Sequence, residues 1–188
     1  MQPPKHGFNI NEIEHEDTDG WIDKLSEPLE LSSRISRPVV DSLIGMPMFD
    51  KLSIKDLDVI SKHMNLIDVE PGEIVFNEGD AGDYVCFVVE GHLEVIKKAD
   101  NGQEVALCKL RRNSSIGEMS VIDEFLRSAT VRALTKSSLV TLTRKAFNRI
   151  LGEHPLIGIQ ILKGISRLLS LNLRKTSSRL ADYMLPLS

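Results

Sequence analysis

The sequence predicts an α+β chain: an eight-stranded antiparallel β-roll of the jelly-roll barrel type, flanked by N-terminal helices and followed by a long C-terminal helix. Three observations carry this. After His63 the apolar pattern changes from helical spacing to short runs rich in β-branched residues. Gly, Asp and Asn interrupt those runs every six to twelve residues. Helical spacing returns only from about residue 144.

Residues 1 to about 20 are polar and rich in Glu, Asp and Asn, and read as a loose extension. From Trp21 to Ile44 the apolar residues recur at helical spacing, and two short helices are expected, broken before Pro38. Ser53 with Asp56 forms a capping-box pattern that starts a helix near 54–63. The strands then follow as LIDV, EIVF, YVCFVV, LEVIKK and QEVALCKL, with Asn101-Gly102 as a hairpin turn and Gly72, Gly79, Gly82 and Gly91 available for positive φ. SATVRAL and SSLVTLT complete the roll after an interruption at 111–127. A helix near 144–151 and a long one from about His154, with Pro155 in its first turn, end the pattern. The expected organisation is an acidic, partly helical extension over 1–45, the β-roll over 46–152 and the long helix over 153–188.

The 41% apolar and 27% charged content is that of a globular domain, and no run approaches the length needed to span a bilayer, so no membrane is expected. Cys86 and Cys108 lie inside apolar runs, where burial as reduced thiols is a simpler reading than a disulfide or a metal site, and a reducing cytoplasmic compartment follows. Residues 1–37 hold four basic and eight acidic residues, whereas the rest balances at 19 of each. A neutral body argues against nucleic acid as a partner. His92 and Glu94 form an H-x-E on a strand, but no second His or P-C-x-x-C follows, so no metal is expected. No nucleophile, base and oxyanion donor stand together, so no enzymatic activity is expected either.

The interruption, RRNSSIGEMSVIDEFLRSATV, resists explanation as barrel packing. Glu118 follows Gly117, and EMSVIDE has the spacing of a short helix whose first amides, at Met119 and Ser120, suit an anion. Arg127 arrives nine residues later, just before a strand that should be half buried, with a planar fork of donors for a phosphate. Ser128 adds a hydroxyl. A ligand with one anionic and one hydroxyl-bearing end fits this set, and a nucleoside cyclic phosphate is such a molecule. Taken alone, a Glu and an Arg nine residues apart also read as a surface ion pair, and it is the flanking Gly, the helical turn and the barrel context that favour a pocket.

Residues 46–160 resemble the cyclic-nucleotide-binding domain found in the catabolite activator protein, in regulatory subunits of the cyclic-AMP-dependent kinase and in nucleotide-gated channels. The resemblance rests on Met48-Phe49, Leu52-Ser53, Gly72-Glu73, Glu78-Gly79-Asp80, Phe87, Gly91, Gly117-Glu118, the run from Arg127 to Val131, Ala133, Phe147 and Pro155. It implies that 116–129 is the phosphate-binding cassette. Glu118 would accept the ribose 2′-hydroxyl and Arg127 pair with the phosphate, with the amides around Met119 and Ser120 and the Ser128 hydroxyl completing the cradle. Ala129 belongs to the same run. Val85, Leu110 and Val131 would line base and ribose, and alignment on Pro155 makes Asn172 a candidate base contact. The ligand implied is cyclic AMP, favoured over cyclic GMP by Ser rather than Thr at 128. The chain departs from the family at Asn113-Ser114, where Gly-Asp is usual, at Ile116, where Phe is common, and at Ser120, where Ala is common.

Leu162, Ile165, Leu169 and Asn172 alternate three- and four-residue steps, a stripe suited to the roll or to the same helix of a second copy, as in a homodimer. Lys163, Arg167, Arg174, Lys175 and Arg179 read as a solvated face, or as a nucleic-acid or lipid-headgroup patch. The leading expectation is a non-enzymatic sensor acting on an unknown downstream protein. The alternative is a transcription regulator of the activator type, for which only five residues after Tyr183 leave no room for a helix-turn-helix.

Overall fold

The computed structural model describes residues 36–99, 101–123 and 125–184. Most of the acidic extension, with the first of the two helices expected between Trp21 and Ile44, lies outside the described residues. Helix α1 (Ser36–Leu43) takes Pro38 into its first turn instead of breaking before it, because a first-turn residue has no intrahelical acceptor to lose. A 3-10 turn (Pro47–Phe49) buries Met48 and Phe49. Helix α2 (Ile54–Ser61) starts on the expected capping box: the Ser53 amide donates to the Asp56 carboxylate at 2.9 Å, and the Asp56 amide to Ser53 Oγ at 3.3 Å.

Eight strands follow: β1 (Asn65–Val69), β2 (Ile74–Phe76), β3 (Tyr84–Glu90), β4 (Leu93–Lys98), β5 (Glu104–Leu110), β6 (Ser115–Ile116), β7 (Thr130–Ala133) and β8 (Ser137–Thr143). They form two antiparallel sheets in the orders β1-β8-β3-β6 and β2-β7-β4-β5. The eighth strand is β6, two residues inside the segment taken as an interruption; it pairs Ile116 with Cys86. Gly102 adopts φ 81° in the β4–β5 turn, as its Asn-Gly pair predicts. Gly82 does not have positive φ. Its reason is space, since a Cβ there would stand 2.6 Å from that of Ser120 and 2.9 Å from Arg127 Nε.

Helix α3 (Glu118–Asp123) is a single short segment between β6 and β7. Helices α4 (Arg144–Glu153) and α5 (Pro155–Met184) close the chain. The core joins both ends of the domain: Val39 and Leu43 of α1, Phe49, Ile60, Phe87, Leu142, Phe147 and Ile150, and Ile157, Ile161 and Ile165 of α5. Gly164 lets α5 approach the 3-10 turn so closely that an added Cβ would meet the Met48 carbonyl. Arg167 ties the same contact at the surface, donating to both carboxylate oxygens of Asp50 at 3.0 and 2.9 Å.

Two expectations are corrected. Cys86 is fully buried, and its thiol is pushed up to about 12 by burial, but Cys108 is exposed because every residue of β5 before Leu110 is exposed. In addition, α5 is by length and composition apolar enough to cross a membrane. Its buried residues all lie in the first eleven positions, packed on the domain, and residues 170–184 are exposed.

Candidate ligand-binding site

The site is built where β6 ends. Gly117 turns the chain at φ 84°, and a Cβ there would collide with Arg127 Nη1, so the position needs both positive φ and the absence of a side chain. The same feature explains Asn113. It adopts φ 68°, a left-handed conformation that Asn tolerates better than most residues, so the departure from Gly keeps the backbone geometry.

Arg127 comes from the segment before β7 and is 3% exposed. Its guanidinium carbon lies 4.0 Å from the centroid of Phe76 and 4.5 Å from that of Tyr84. Nη2 donates to the Tyr84 carbonyl at 2.8 Å, while Nη1 donates to Ser120 Oγ at 3.3 Å and the Gly117 carbonyl at 3.4 Å. These acceptors are neutral. Nε is buried without a partner. Glu118 is 6% exposed, and its Oε2 is also buried without a partner. Burial raises its carboxyl pKa, opposed by its own backbone amide and by the Arg127 charge. Leaving donor and acceptor capacity idle in the interior costs free energy unless something else uses it.

Both residues border a cavity of about 350 Å³, within the range of small-molecule sites. Its wall comes from the second sheet and its roof from α3. Phe76, Val95, Leu107, Ile116 and Val131 supply apolar surface, and Glu118, Asp123, Lys97 and Arg127 supply charge. Lys97 Nζ is held by Glu78 Oε1 at 2.6 Å and the Ser128 carbonyl at 2.9 Å. The arrangement offers one buried cation, one buried acceptor and a flat apolar wall.

The structure brings together Gly117, Glu118, Met119, Ser120, Arg127, Ser128, Ala129 and Val131 around this cavity. It does not bring Val85, Leu110 or Asn172 there. Val85 is 1% exposed on β3 and packs in the core cluster. Leu110 pairs with Leu93 at the far end of the β4–β5 ladder, and Asn172 is exposed on α5. Sequence reasoning missed Val95 and Leu107. Val95 pairs with Cys108 and Ile96 with Ala106, so the register skips Leu107, and this irregularity aims it at the cavity. Among the described residues no three His, Cys, Asp or Glu side chains stand together as a metal site; Glu94 of the H-x-E instead receives Arg132 at 2.7 Å.

Comparison with known proteins bears on this geometry. The family model for the cyclic nucleotide-binding domain matches residues 66–154, from the second residue of β1 to the end of α4 and with the whole of α3. The solved N-terminal domain of a transcriptional regulator from Streptomyces coelicolor A3(2) is 30% identical with a TM-score of 0.64, and the match covers 79% of this chain and 98% of that one. The chain belongs to the cyclic nucleotide-binding domain family. A cyclic nucleotide-binding domain from Methylobacillus flagellatus KT is similar as well, with a TM-score of 0.72 at 25% identity over 80% of this chain and 84% of that one. The cAMP-dependent protein kinase regulatory subunit of Mycosarcoma maydis is 34% identical over 136 residues, 70% of this chain. The chain spans only 25% of that subunit's length. The family is that of cyclic nucleotide-binding domains, and the eight-stranded roll with its long C-terminal helix matches its fold.

Proposed function

We propose that the chain is a non-enzymatic, cytoplasmic sensor that binds cyclic AMP in preference to cyclic GMP and reports binding by a change in the position of α5. The observation that carries this reading is the pair of buried, unpartnered atoms, Glu118 Oε2 and Arg127 Nε, on one cavity. A cyclic phosphodiester answers the guanidinium with one negative charge, and a ribose hydroxyl donates to the carboxylate. Neither group requires catalysis. The downstream partner is a protein engaged by whatever surface α5 exposes or covers, and a homodimer through the exposed half of α5 is one such arrangement.

The test is thermal unfolding of the wild type and Arg127→Ala with cyclic AMP and cyclic GMP. Ligand at a hundredfold over its Kd adds about 2.7 kcal/mol, or about 5–10 °C for a domain of this size. A shift in the wild type with cyclic AMP above cyclic GMP, absent in the variant, is expected. No shift with either nucleotide overturns the reading.

A second reading has one observation in its favour. The Streptomyces relative is the N-terminal domain of a transcriptional regulator, so this chain would serve as the sensing part of such a regulator, reaching DNA through a partner or its basic α5. A gel shift with random duplex at moderate salt decides it: absence of any complex removes the role for α5.

A further inference from the structure

Arg144 is the first residue of α4, where a cation faces the positive end of the helix dipole. Its guanidinium turns away to the cassette. Nε and Nη2 donate to the Ser120 carbonyl at 3.1 and 2.5 Å, and Nη2 also reaches the Gly82 carbonyl at 2.5 Å. The Arg144 amide donates to the Asp83 carbonyl at 2.5 Å. Ser120 is also the residue whose hydroxyl accepts from Arg127.

Two arginines therefore hold one residue, Arg127 through its hydroxyl and Arg144 through its carbonyl. The carbonyls of so short a helix lack most of their intrahelical donors, and Arg144 supplies donors to that of Ser120. Gly82 presses the β2–β3 loop against the same place, with no room for a Cβ. On its other side α4 packs on α5, where Gly158 admits Leu151.

We propose that Arg144 is a positioning residue for the nucleotide site, clamping Ser120 and with it the Glu118 turn to α4, so that occupation of the cavity is felt by the α4–α5 pair. The coupling half of this statement rests on the nucleotide reading; the clamp does not. The clamp also gives a reason for Arg at a position where helix electrostatics disfavour it.

Hydrogen exchange of the full chain tests both halves, with Arg149→Ala on the exposed side of α4 as control. Without ligand, Arg144→Ala is expected to speed exchange at least tenfold in 117–123 and 81–84 while β1 and β8 keep wild-type rates. Arg144→Lys, with one ammonium in place of a fork, is expected to recover part of the protection, and it decides the matter if the Ala variant does not fold. Wild-type rates in 117–123 for Arg144→Ala, or for Arg144→Lys where the Ala variant does not fold, overturn the clamp. With cyclic AMP as probe, the wild type is expected to gain protection in both the cassette and α4–α5, and Arg144→Ala only in the cassette. Unaltered protection of α4–α5 in Arg144→Ala overturns the coupling. If cyclic AMP protects nothing in the wild type, the nucleotide reading and the coupling fall together, and the ligand-free comparison still decides the clamp.

Discussion

Glu118 sets the nucleotide-free protein against its own ligand. Its native pKa is raised, first by burial, so the stability it contributes is present below the unfolded carboxylate value near ~4.3 and is lost as pH rises through the native value. Above that native value the fold bears an ionised carboxylate with one oxygen unpartnered. Above the native value Glu118→Gln is expected to raise the ligand-free melting temperature by about 2–4 °C, for about 1 kcal/mol recovered, and to flatten the fall in stability above pH ~4.3. It also replaces the charged acceptor proposed for the ribose with a neutral amide oxygen, so nucleotide affinity is expected to fall by about tenfold, the difference of about 1–1.5 kcal/mol between a charged and a neutral hydrogen bond. In the wild type, affinity weakens as pH falls through the native value, because the protonated carboxyl must release its proton to accept fully. Calorimetry across pH checks both signs.

At the scale of elements, two glycines on the closing helices make a matched pair. Gly164 has the Met48 carbonyl where a Cβ would go, whereas Gly152 of α4 has nothing within 4 Å. Gly164→Ala is expected to cost about 1–3 kcal/mol through overpacking, and Gly152→Ala to add up to about 1 kcal/mol of helix stability. Chemical denaturation of the two variants checks the opposite signs. Ser53→Ala removes the acceptor of the α2 capping box and is expected to cost about 1 kcal/mol. These elements were legible beforehand because their signals are local: the Ser-x-x-Asp cap, the Asn-Gly turn, the alternation in LEVIKK. Leu107 was not legible, since which face a residue takes depends on a register skip that only the pairing of β4 with β5 reveals. Cys108 misled for the same reason; an apolar run predicts burial only if both faces of the strand are covered, and β5 is the edge of its sheet. Val85 and Leu110 were placed by resemblance with correct strands but the wrong face or end. In contrast, Gly117, Glu118 and Arg127 come from one continuous stretch, so their convergence needed only a turn and a short helix.

For the whole molecule, the division of α5 governs behaviour. Its buried residues end at Ile165, and Leu171, Leu173, Leu180, Tyr183 and Met184 are all exposed. A chain ending at residue 170 is therefore expected to unfold cooperatively with a melting temperature within about 3 °C of the full chain, since fully exposed residues contribute within about 0.5 kcal/mol each way. If the exposed half is a dimer seam, the truncated chain sediments as a monomer at concentrations where the full chain does not. A large loss of stability in the truncated monomer would show instead that 171–184 packs on the roll.

The contact at Gly164 also has a mechanical meaning. It sets the backbone of α5 against the 3-10 turn, and twenty residues of helix extend beyond it to Met184. At about 1.5 Å per residue that is an arm of roughly 30 Å. A tilt of about 10° at this fulcrum sweeps the tip through about 5 Å, one full helical turn. If α5 moves as proposed, a small tilt at this point becomes a displacement large enough to make or break a contact with another molecule, and the gain is set by where the glycine sits along the helix.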